Sequence, residues 1–114
     1  MASLKGTANP SEVLAKATAR AAQVLEVSEQ QRANILGVDT GFVDFAIEPV
    51  SSPGLRAQQL IRIYQQLSAI TGNDTIAMAH WMTTSNKRFD CSPRERMQTA
   101  DGLDEITSYL SSLL

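Results

Sequence analysis

AMAHWMTTSNKRFDCSPRERMQTADGLDEITSYL, residues 77–110, is the stretch that decides the fold. It opens on an apolar helix end that carries the only tryptophan, Trp81, and passes into the polar run Thr83-Thr84-Ser85-Asn86-Lys87-Arg88. Phe89 is expected to fold back onto a core. Ser92-Pro93-Arg94-Glu95 combines an N-cap, a first-turn proline and a glutamate, which predicts a short helix through Met97 to Thr99. Asp101-Gly102 reads as a turn before an amphipathic last helix with Leu103, Ile106, Tyr109, Leu110 and Leu113 on one side. No segment alternates with a period of two, so the module is helical.

Working outward, the 114 residues suit one compact domain, or two small ones sharing a core. The balance of 43% hydrophobic and 19% charged residues is that of a folded chain. A net charge of -2 excludes a global basic surface for non-specific nucleic-acid binding. A single cysteine, Cys91, excludes an internal disulfide and a cysteine-based zinc site, and fits a reducing compartment. With no signal-peptide pattern and no apolar run near ~18 residues, the expected setting is cytoplasmic, with no membrane contact.

Ahead of this stretch, residues 1–8 are expected to form a flexible arm. Asn9-Pro10-Ser11-Glu12 starts a helix expected to end near Glu26, with Val13, Leu14, Ala17, Ala21, Val24 and Leu25 as its apolar face. Ser28-Glu29-Gln30-Gln31 is a capping-box start. Ala33, Gly37, Val43 and Ala46, with Leu36 and Val38 between them, have the spacing of a helix-turn-helix, and Asp39 would cap its second helix. DNA-facing positions there would be Thr40, Gly41, Phe42 and Phe45. Asp44 and Glu48 beside them would be repelled by phosphates, so operator DNA is disfavoured.

Glu48-Pro49-Val50-Ser51-Ser52-Pro53-Gly54 is the clearest break. Ser52-Pro53 begins the longest helix, whose apolar positions Leu55, Ala57, Leu60, Ile61, Ile63, Tyr64, Leu67 and Ile70 cover over half its circumference, as a central helix requires. Gly72 ends it, and Asn73 or Asp74 caps the next helix, from Thr75 to about Met82. The expected organisation is all-α: a helical bundle with a helix-turn-helix-like region at 9–50, a connecting helix at 51–72 and a small helical module at 73–114.

No catalytic constellation is present. His80 has no ligand-type residue at helical spacing and reads as a buried or half-buried structural histidine. Cys91 has no base placed beside it and reads as a small loop-filling residue. Asp101, Asp104 and Glu105 follow the ordinary macrodipole pattern of a first helical turn. Neither a metal nor a cofactor is expected. Lys87, Arg88, Arg94 and Arg96 place four of the ten cations within ten residues, as a solvated face or as an electropositive patch for a partner.

Trp81-Met82, Ser85-Asn86, Phe89, Ser92-Pro93-Arg94-Glu95, Met97, Thr99, Gly102, Ile106 and Tyr109-Leu110 together resemble the toxin-binding domain of the Xre/MbcA/ParS antitoxin family. The resemblance covers about the last third of the chain. It implies a non-enzymatic antitoxin of a bacterial type II toxin-antitoxin pair, one that blocks an NAD-consuming RES-domain toxin by direct binding. It further implies operon autoregulation as a second role, and a homodimer packed through the helical N-terminal half is expected. Carried over, Trp81 and Pro93 shape the domain, and Asn86, Lys87, Arg88, Phe89 and Arg94 are candidates for toxin contact. The sequence leaves two alternatives open: a helix-turn-helix DNA-binding regulator, and an orphan interaction domain.

Overall fold

The computed structural model describes residues 9–40 and 46–114. Among these, six helices follow one another: α1 (Pro10–Val24), α2 (Glu29–Leu36), α3 (Ser52–Thr71), α4 (Thr75–Thr83), α5 (Pro93–Arg96) and α6 (Ala100–Leu113). The fold is all-α, with one isolated antiparallel bridge between Asn86 and Cys91.

Local chemistry sets most of the boundaries. Asn9 accepts a hydrogen bond from the Ser11 backbone N–H to open α1. Ser28 and Gln31 form both halves of the capping box at α2, satisfying two otherwise orphaned donors. Gly37, at φ 75°, closes α2 in a left-handed conformation that costs glycine little. Ser51 caps α3 with Pro53 in its first turn, and Gly72 ends it. Asp74, not Asn73, caps α4 by accepting from the Ile76 and Ala77 N–H groups.

α3 is the hub. It packs against α1, α2, α4 and α6, and Ala57, Leu60, Ile63 and Leu67 on it are buried. One hydrophobic cluster runs from Leu14 and Leu25 through Leu36 and Ile47 to Met78, Phe89, Met97, Ile106 and Leu110. α1 and α6, the first and last described helices, therefore share a core through α3. Gln59 donates to Asp104 and Gln66 to Ser111, pairs with the same sequence offset of 45, so α3 and α6 run parallel.

Several expectations are corrected. α1 stops at Val24, because Glu26 turns to φ 58° and the chain leaves the helical path. Its buried face is Leu14, Ala15, Thr18, Ala21 and Ala22, while Val13 is 47% exposed. The stripe is rotated because small residues let α1 approach α3 closely, and Thr18 satisfies its hydroxyl by donating to the Leu14 carbonyl. On α3, Leu55 and Ile70 face solvent. α5 is shorter than expected, ending at Arg96 with Met97 as its C-cap.

Asp101-Gly102 is not a turn but the first turn of α6, capped by Thr99, which accepts from the Gly102 N–H. A Cβ at Gly102 would sit 1.8 Å from the Arg96 carbonyl oxygen. Close approach of α6 to the end of α5 is what requires glycine there. Gly41, Phe42, Val43, Asp44 and Phe45, the centre of the expected second helix of the helix-turn-helix, lie outside the described residues. Val38 to Thr40 before them and Ala46 to Glu48 after them are not helical.

Candidate functional site

The connection from α4 to α5 is a tight, internally bonded loop. Asn86 donates its N–H to the Cys91 carbonyl at 3.0 Å and accepts from the Phe89 N–H on its own carbonyl at 3.0 Å. Its side-chain Oδ1 accepts from the Arg88 N–H at 2.9 Å. Asn86 is therefore half-buried and engaged in holding the turn. Asp90 adopts φ 62°, a left-handed position that completes the reversal. The Cys91 thiol is half-buried and directed at the Phe89 carbonyl, 3.5 Å away.

Phe89 anchors this loop from below. It is 2% exposed and meets Tyr109 edge-on at 5.5 Å and Trp81 edge-on at 6.4 Å. Trp81 and Tyr109 lie parallel at 6.4 Å, and the Arg88 guanidinium carbon sits 4.5 Å from the Tyr109 ring centroid. Edge-to-face and offset parallel packing suit the ring quadrupoles, and the cation over the tyrosine face adds an attraction of about 0.5–1 kcal/mol at an exposed site. Trp81 is half-buried, so it serves the core and also forms part of the surface.

The four neighbouring cations are held to very different degrees. Arg94, half-buried, donates to the Glu26 carbonyl at 2.7 Å and ties α5 to the corner between α1 and α2. Asn34 on α2 reinforces that junction by donating to Gln98 at 2.9 Å. Arg96 pairs with Glu105 at 2.8 Å, and that hydrogen bond with its carboxylate charge raises the guanidinium pKa above its ordinary value. Arg88 is exposed and rests on Tyr109. Among the described residues Lys87 alone of the four has no partner. The exposed tip of the loop is thus Lys87, Arg88 and Asp90.

A second feature went unread in the sequence. Between the ends of α3 and α6 and the flank of α4 lies an apolar groove of about 480 Å³, with Leu67 and Leu110 in its floor and Ile70, Ile76, Trp81 and Leu113 around them. Ile76 is 82% exposed and Leu113 53%. One signal was available. Thr75–Thr83 is apolar all round, yet only Met78 and Met82 of it are buried, so apolar surface had to be left over. His80 lies at the groove's edge and is exposed, not buried as expected, because its position on α4 faces away from α3.

Every residue lining this groove, and every residue of the aromatic cluster and loop, falls in one region of the chain. Residues 66–114 match the family model of the antitoxin Xre/MbcA/ParS C-terminal toxin-binding domain. On that match the C-terminal region, residues 66–114, is similar to the toxin-binding domain of an antitoxin from a toxin-antitoxin system. The match begins within α3 and takes in the last six residues of the central helix together with α4, α5 and α6. No curated protein matches the chain.

Thr40, the one described member of the expected DNA-facing set, is exposed and outside any helix, and its hydroxyl donates to Gln30. Gly41, Phe42 and Phe45 lie outside the described residues. Among the described residues no three His, Cys, Asp or Glu side chains gather into a metal site. No described helix is long and apolar enough to cross a membrane.

Proposed function

We propose that this protein neutralises a RES-domain, NAD-consuming toxin by binding it directly through the toxin-binding domain and covering its active site. The observation that carries this reading is the match of residues 66–114 to an antitoxin toxin-binding domain. It is supported by the rigid, internally bonded loop that presents Lys87 and Arg88 above a buried Phe89. A pre-organised loop loses little conformational entropy on association, which favours tight and specific binding. In this reading Lys87 and Arg88 contact the toxin directly, while Asn86, Phe89 and Arg94 act by holding the loop and α5 in place.

The same reading has the protein act in the cytoplasm as a homodimer paired through its N-terminal half. Autoregulation of the operon is the weaker part, since Asp39, Asp44 and Glu48 crowd the expected recognition segment with negative charge. The deciding experiment mixes the purified full chain with a purified RES-domain toxin and follows NAD consumption. Stoichiometric addition should stop consumption. Undiminished consumption with equimolar protein would sink the proposal.

A further inference from the structure

We propose that the α3–α4–α6 groove is a docking site for the same toxin, and that it receives a toxin segment presenting two or three large apolar side chains with a lysine or arginine at the Asp74 end. The inference rests on the antitoxin reading and adds to it a contact surface and the chemistry of its occupant. Leu67 and Leu110, 2% and 1% exposed, make a fixed floor, while Ile70, Ile76 and Leu113 stand 40%, 82% and 53% exposed around it. A cavity of about 480 Å³ bounded by three helices suits the apolar face of a helix or a short extended segment.

Two observations select the toxin as the occupant. The groove is continuous with the toxin-binding domain, since all its lining residues fall within the matched 66–114. It is also joined to the basic loop through Trp81, which lines the groove and stacks on the Tyr109 that carries Arg88. One partner can therefore cover both without a gap. Charge sets the orientation. Asp74 is the one acid lining the groove, it is exposed, and neither α3 nor α6 has a basic residue in its last turn. A cation is favoured at that end and an acid is opposed.

The test measures the Kd of the full chain for a purified RES-domain toxin whose NAD consumption the chain inhibits, with Tm and sedimentation recorded for every variant. Ile76→Glu should weaken binding by about 30-fold or more, since it puts a charge in place of a large apolar wall contact that the partner covers. Leu113→Gln, at the opposite wall, should weaken it about 10-fold. Val50→Glu, equally exposed at 82% but outside the toxin-binding domain, should leave Kd unchanged. Asp74→Asn keeps a good N-cap while removing the charge, and should weaken binding severalfold, by about threefold to tenfold. Wild-type binding with Ile76→Glu and Leu113→Gln both within twofold of it overturns the groove and leaves the antitoxin reading standing. A wild type that neither binds nor inhibits any RES-domain toxin brings down both. An unchanged Kd for Asp74→Asn overturns the cationic end of the occupant. A wild-type dimer that Ile76→Glu converts to monomer assigns the groove to a second copy, and overturns the toxin as occupant.

Discussion

The basic loop and the apolar groove adjoin each other in the toxin-binding domain, yet their side chains are held in opposite ways. In and around the loop, Arg94 reaches the Glu26 carbonyl, Arg96 pairs with Glu105, Arg88 lies on Tyr109, and Asn86 closes its own turn. At the groove, Ile70, Ile76 and Leu113 stand in solvent. Groups that looked available from their charge are largely engaged inside the molecule, and groups that looked like core are left outside. Charged and polar side chains satisfy one another over short distances at small cost. An apolar side chain left exposed has no such internal remedy, and is relieved only by another apolar surface.

The comparison can be broken or sharpened by substitution. The largest effect should come from Phe89→Ala, which removes the anchor under the loop and opens a cavity beside Trp81 and Tyr109. A loss of about 3–5 kcal/mol in urea unfolding is expected, and a loss below about 1 kcal/mol would show that the loop does not depend on its anchor. Gly102→Ala should follow at about 2 kcal/mol, since the added Cβ meets backbone and not a yielding side chain.

Arg94→Ala should cost about 1 kcal/mol through the lost bond to Glu26, with faster amide exchange at Val27 next to the α1–α2 corner. Lys87→Ala should not change that exchange, and equal behaviour of the two would erase the distinction drawn between them. The smallest effect on stability belongs to Ile76→Glu, within about 0.5 kcal/mol, because the side chain has little to lose on the free protein. A large drop in Tm for that variant would mean that Ile76 belongs to the core after all.

Legibility in the sequence followed the range of the interactions. The capping signals at Asn9, Ser28, Asp74 and Ser92 all mark real helix starts, and Gly37 and Gly72 mark real ends. The Asp101-Gly102 pair misled, because a glycine demanded by the Arg96 carbonyl looks the same in sequence as a glycine demanded by a turn. Periodicity found the middle of the buried faces of α3 and α6 but not their ends, where Leu55, Ile70 and Leu113 are exposed. It rotated the face of α1, where Ala15, Thr18 and Ala22 carry too little hydrophobicity to reveal the buried side. The candidate contact set Asn86, Lys87, Arg88, Phe89 and Arg94 was found as a cluster, and the structure brings it together in and beside one loop. What each member does there was not readable.

The sequence by itself determined that this protein is helical, where most of its helices begin and end, and that its last third resembles a toxin-binding domain. Those properties depend on backbone donors, caps and glycines within a few residues of one another. Only the tertiary structure decided which cations are already engaged, why Gly102 must be glycine, and that apolar surface is left open between α3, α4 and α6. Arg94 and Glu26 are 68 positions apart, and Asn34 and Gln98 are 64 apart. Contacts at that range depend on how the helices pack, and no local pattern records them.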